Sequence, residues 1–135
     1  MLTTWEGADK RTSPTLWIRI DARRAGFASG IGFTPQIRQL WRNAIGGAAG
    51  ERLAAVLEQL AASRQTEVAG DQLKKVPAGF PPDHPRADLL RLTGFQVRYS
   101  DDIPTSVDRT EFAQWCLERL NTLLPVHRWL AEHLT

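Results

Sequence analysis

Apolar and polar residues alternate with period two in "TLWIRI", where Leu16, Ile18 and Ile20 fall on one side and Trp17 and Arg19 on the other. That is the pattern of a half-buried strand. "DARR" then turns the chain, and "AGFASGIGF" repeats the alternation with Phe27, Ser29, Ile31 and Phe33 on one face. Gly26, Ala28, Gly30 and Gly32 occupy the other. The two stretches are expected to pair as a hairpin. A third strand is predicted over "GFQVRY", with Phe95, Val97 and Tyr99 opposed to Gln96 and Arg98, and a short one over "QTEVAG".

Elsewhere the apolar positions recur every three to four residues. Ile37, Leu40, Trp41, Ala44 and Ile45 form one helical stripe. Thr34 serves as N-cap, Pro35 opens the first turn, and Gly46–Gly47 stop the helix. A second helix is predicted from about Gly50 to Arg64, carrying Leu53, Val56, Leu57 and Leu60, antiparallel to the first. A short helix is expected from Pro85 to Leu92. Asp108, with Glu111 three residues on, resembles a capping box. The helix it starts carries Phe112, Trp115, Cys116 and Leu120, and a break near Asn121–Leu124 precedes a last helix with Pro125 in its first turn. Val126, Trp129, Leu130 and Leu134 are its core positions. "SDDIPTSVDRT", between strand and capped helix, reads as a connector, with Asp101–Asp102 in a solvated turn.

The expected fold is therefore α+β: a small antiparallel β-sheet covered by four or five helices. At 135 residues the chain fits one domain, with residues 1–14 as a polar N-terminal arm. Three glycines on one strand face imply close approach by a helix, another backbone or a ligand. They lie within a strand rather than at a strand-to-helix turn, unlike phosphate-binding glycines, so packing or a bulge is the simpler reading.

Seventeen Lys and Arg against fifteen Asp and Glu give a net charge of +2, with arginines spread through every segment. A nucleic-acid binder concentrates its positive charge on one face, so that class of partner has weak support. The single cysteine, Cys116, excludes an internal disulfide and a cysteine-based zinc site. It falls in an apolar stripe, as a small buried hydrophobe would. No apolar run approaches the ~20 residues of a membrane span, and nothing resembles a signal peptide. The chain reads as cytoplasmic.

"LKKVPAGFPPDHPRADLLRL", Leu73 to Leu92, holds four of the eight prolines. Each fixes its own φ and biases the preceding residue toward extended conformations. Such a loop can present Lys74, Lys75, Asp83 and His84 in fixed positions. A carboxylate before Pro85 would cap the short helix, which explains Asp-His-Pro without a ligand. The functional reading gathers the lysines and His84 around an anion, or uses His84 as a general base. No nucleophile stands in a recognisable elbow. His127 and His133 are six apart and point to different helix faces, so no metal site is expected. Trp17 and Arg19 share the outer face of their strand, which suits either a binding surface or cover by another layer. Trp41, Trp115 and Trp129 lie on helical stripes and are expected in the core.

The same loop carries a resemblance. A Leu-Lys pair, Pro-x-Gly-Phe, Asp-His-Pro and Leu-Leu-Arg stand at Leu73, Lys74, Pro77, Gly79, Phe80, Asp83, His84, Pro85, Leu89, Leu90 and Arg91. This spacing resembles the C-terminal signature of an uncharacterised bacterial family, domain of unknown function 2461. "TPQIRQLWRNAI" and "PVHRWLAEHL" are similar to its middle and its closing helix, so the likeness runs from about residue 14 to 134. The family's longer basic and aromatic N-terminal portion is expected to be missing. The resemblance implies an α+β fold and no settled activity.

The reading that follows is a non-catalytic module binding a protein partner or a small anionic ligand, with Lys74, Lys75, Asp83, His84, Arg91, Trp17 and Arg19 as candidate contacts. Two alternatives stay open: a small hydrolase using Asp83 and His84, and a weak nucleic-acid binder. No cofactor is expected, and a homo-oligomer is an open alternative.

Overall fold

A computed structural model describes residues 2–5 and 13–134. The elements run β1 (Leu2–Trp5), β2 (Thr15–Ile20), β3 (Arg24–Gly32), α1 (Pro35–Ile45), α2 (Ala48–Ser63), β4 (Glu67–Ala69), α3 (Ala87–Leu90), β5 (Gly94–Asp102), α4 (Arg109–Asn121) and α5 (Leu124–Leu134). Five strands form one antiparallel sheet in the order β1-β2-β3-β5-β4. The fold class is α+β. One expectation is corrected at the front: Leu2–Trp5 belongs to the sheet, paired with Thr15–Ile18, and is no arm. A polar segment can still supply a strand because ladder bonds come from the backbone.

The β2–β3 hairpin turns on Asp21. Its carboxylate accepts the backbone N–H groups of Arg23 and Arg24 at 3.0 and 2.9 Å. Those bonds hold its carboxyl below the usual range. The caps are as read from the sequence: Thr34 Oγ1 accepts from Ile37 N at 3.1 Å, and Asp108 Oδ1 from Glu111 N at 2.8 Å.

All the helices packed on the sheet use one face. Phe27, Val97, Phe95 and Tyr99 are buried there. Trp41 of α1 lies 5.0 Å from the Phe95 ring and 5.7 Å from Trp129 of α5; Trp115 of α4 lies 5.8 Å from Phe27. Core and satellite residues form a single cluster.

Four local expectations fail. Leu40 and Ile20, counted into apolar stripes, are 41% and 45% exposed. Cys116 is only half-buried, because α4 buries none of its residues fully. Partial burial pushes its thiol pKa up, against a smaller pull from Arg119, so it is not an activated nucleophile. Asp101–Asp102 is strand, not turn. Pairing with β3 carries β5 out to Asp102, and the pleat sends the two carboxylates to opposite faces.

Candidate functional site

The proline-rich loop is fixed by hydrogen bonds along its length. At its two ends, Leu73 N donates to Arg91 O at 2.7 Å and Thr93 N to Asp71 O at 2.8 Å. Arg91 Nε returns to Leu73 O at 2.7 Å. Further on, Arg86 Nε donates to Ile45 O at 2.6 Å, satisfying a carbonyl left open at the end of α1. Trp41 Nε1 donates to Leu89 O at 2.8 Å. The loop is thus closed on itself just before β5 and tied to α1 and the core.

Its centre corrects the expected cap. The helix begins at Ala87, two residues after Pro85, and its N-cap residue Arg86 makes no side-chain capping bond. Pro85 instead sits at the second position of a turn closed by Ala87 N donating to His84 O at 2.9 Å, where a proline φ is favoured. The Asp83 carboxylate makes no capping bond among the described residues and is exposed. His84 does the local work with its ring: Nδ1 accepts from Arg86 N at 3.0 Å. That bond leaves Nε2 as the proton-bearing nitrogen of the neutral ring. The ring also meets Phe80 edge-on at 6.2 Å.

Lys74, Lys75 and Arg91 line one cavity of about 600 Å³, walled by Val76, Pro82 and Ala87. Asp88 is its acid, with Oδ1 3.8 Å from Arg91 Nη1. Three cations against one carboxylate leave the lining positive. Arg91 is held by Leu73 O through Nε, so the guanidinium plane is set before any ligand arrives. Asp83 and His84 do not line this cavity. Trp17 and Arg19 stand on β2, on the sheet face opposite the core.

Sequence reasoning missed two further groupings. Asp101 Oδ2 accepts from Arg64 Nη1 at 3.0 Å and Arg119 Nε at 2.8 Å, joining the ends of α2, β5 and α4. Arg119 also lies over the Trp115 ring at 4.1 Å. On the open sheet face, Trp17, Arg24, Gly26, Glu67 and Arg98 surround a second hollow. Both depend on strand register, for which single residues give no signal. Among the described residues no group of His, Cys, Asp and Glu could hold a metal ion, and no helix is long and apolar enough to cross a membrane.

One antiparallel sheet with its helices on one face, and a basic cavity between the proline-rich loop and α3, defines a two-layer α+β protein with a ligand-sized hollow. The chain matches the family described as "Conserved hypothetical protein (DUF2461)" over residues 1–129, and it belongs to that family. The match takes in the first thirteen residues, beyond the stretch that the loop signature suggested. No curated protein and no solved structure matches the chain.

Proposed function

We propose that the protein is a non-catalytic binding module whose cavity beside α3 takes a small anionic ligand. The observation that carries this is the convergence of Lys74, Lys75 and Arg91 on one cavity, with the arginine already fixed by a backbone carbonyl. Preset donors reduce the ordering cost of binding. A guanidinium with two flexible ammonium groups suits a carboxylate or phosphate with several oxygens. A hydrolytic reading has less support: His84 Nδ1 is committed to Arg86 N, and no hydrogen bond joins His84 to Asp83 among the described residues.

Calorimetric titration with pyrophosphate and with citrate tests the proposal. At least one should bind, and Lys74→Glu with Lys75→Glu should weaken it by about tenfold or more, at unchanged circular dichroism. No binding of either anion at millimolar concentration, or equal binding by the double variant, would overturn it.

A further inference from the structure

The sheet face away from the helices holds a second hollow, of about 250 Å³, walled by Trp17, Arg24, Glu67, Arg98 and Ser100 with Gly26 in its floor. The ladder sets this arrangement. Trp17 pairs with Ala28, and Ala28 with Arg98, so indole and guanidinium flank one row two strands apart. Adjacent strands are about 4.8 Å apart, which separates the two Cα atoms by roughly 10 Å. In the next row Gly26 lies between Arg19 and Ser100.

Gly26 is the informative residue. At Gly30 an added Cβ would come within 2.4 Å of the Phe95 carbonyl oxygen, so the sheet itself requires glycine there. At Gly26 an added Cβ would meet nothing closer than Tyr99 O at 4.0 Å, and its φ is not in the left-handed region. Neither backbone conformation nor packing asks for glycine at this position. What a side chain would fill is the hollow. Glycine inside a strand also weakens it, and at this position it leaves the floor of the hollow open.

The two guanidiniums are each held by neighbouring side chains. Glu67 Oε2 takes Arg98 Nε at 3.1 Å, while Arg24 Nη2 donates to Ser100 Oγ at 3.1 Å and Arg24 Nε lies 3.6 Å from Asp102. The Nη groups of Arg98 make no other hydrogen bond among the described residues. Gln65 adds an amide to the lining. An aromatic wall, a side-chain-free floor, oriented guanidiniums, and a carboxylate with an amide together specify one kind of guest: a planar ring with polar edges and an anionic substituent.

We infer that this hollow is a second binding site, separate from the lysine cavity, for a ligand with the chemistry of a nucleoside monophosphate. The ring lies over Gly26 against Trp17, and the phosphate meets Arg24 and Arg98. That chemistry occurs in free nucleotides and in single strands.

Calorimetric titration of the full chain with adenosine 5′-monophosphate, adenosine, inorganic phosphate and a short oligodeoxyadenylate tests the inference. The monophosphate should bind at least about tenfold more tightly than either half alone. Gly26→Val should keep its melting temperature and lose that binding, because valine suits a strand and occupies the floor. Trp17→Ala, which removes no floor, should weaken it as well. Repeated on the Lys74→Glu, Lys75→Glu variant, which removes anion binding at the proposed lysine cavity, the titrations should keep the tighter binding of the monophosphate, which separates this site from that one. Tighter binding of the oligomer per nucleotide assigns the ligand to a strand; equal or weaker binding assigns it to the free nucleotide. Monophosphate binding no tighter than phosphate, or undiminished in both Gly26→Val and Trp17→Ala, would overturn the inference.

Discussion

The indole Nε1 of Trp41 donates to the Leu89 carbonyl across 2.8 Å, joining the largest fully buried side chain of α1 to α3 beside the basic cavity. Trp41 is fully buried and touches Phe33, Phe95 and Trp129 through its ring. Core packing and the position of the candidate site therefore share one residue.

Trp41→Phe separates these two contributions. The substitution keeps an aromatic ring, shrinks it, and removes one of the two donors to Leu89 O, which keeps its bond from Leu92 N at 3.2 Å. The expected loss is about 1 kcal/mol for the hydrogen bond, with a cavity cost added. Urea denaturation should show a lower midpoint at an unchanged slope. A stability within error of wild type would mean that the bond contributes nothing.

His84 now has a structural role with a stated size. Replacing it with alanine removes the acceptor for Arg86 N and leaves the Pro81–Ala87 turns to backbone bonds alone. The expected cost is about 1 kcal/mol, as for loss of a cap. Anion binding at the lysine cavity should persist, because His84 does not line it. A melting curve and a pyrophosphate titration check the two halves. Lost binding with intact stability would assign His84 to the ligand instead.

Neighbouring acids should behave unequally. Asp101 bridges two arginines whose side chains are 28% and 21% exposed, whereas Asp102 is 85% exposed and meets Arg24 at 3.6 Å. Asp101→Asn leaves two guanidiniums facing a neutral amide. The expected loss is about 1–2 kcal/mol, below that of a fully buried pair because water still reaches the cluster. Asp102→Asn should fall within about 0.5 kcal/mol of wild type. Equal effects in parallel denaturation curves would contradict the bridge.

Tyr99 predicts the alkaline limit. Burial pushes its pKa above 10.0, against smaller downward pulls from the Thr122 hydrogen bond and Arg64. Its hydroxyl donates to Arg119 O at 2.6 Å. The unfolded chain releases this proton first, so the contribution is complete below pH 10 and declines as pH rises through the folded-state value. Tyr99→Phe should be less stable than wild type at pH 8, and the gap should narrow above pH 10. A gap independent of pH would show that Tyr99 titrates alike in both states.

Most of the architecture could be read from residue order. The alternation in "TLWIRI" and "GFQVRY", the Thr34 and Asp108 caps and the break before Pro125 are local signals, and each element forms where they place it. The errors came where a local rule lost to a partner far along the chain. Two acids before a proline look like a turn, yet nine consecutive pairings with β3 keep them in a strand. Asp-His-Pro looks like a carboxylate cap, yet the anchors at Ile45 O and Leu73 O place the loop so that the imidazole caps its turn.

Of the candidate contacts, Lys74, Lys75 and Arg91 come together, while Asp83, His84, Trp17 and Arg19 stand elsewhere. The sequence by itself determined most of the elements, the caps of α1 and α4 and the face that β2, β3 and β5 bury, because dihedral preference and burial act over a few neighbouring residues. Only the tertiary structure decided which charges converge. Lys75 and Arg91, or Arg24 and Arg98, become neighbours through loop closure and ladder register, and no spacing along the chain encodes those distances.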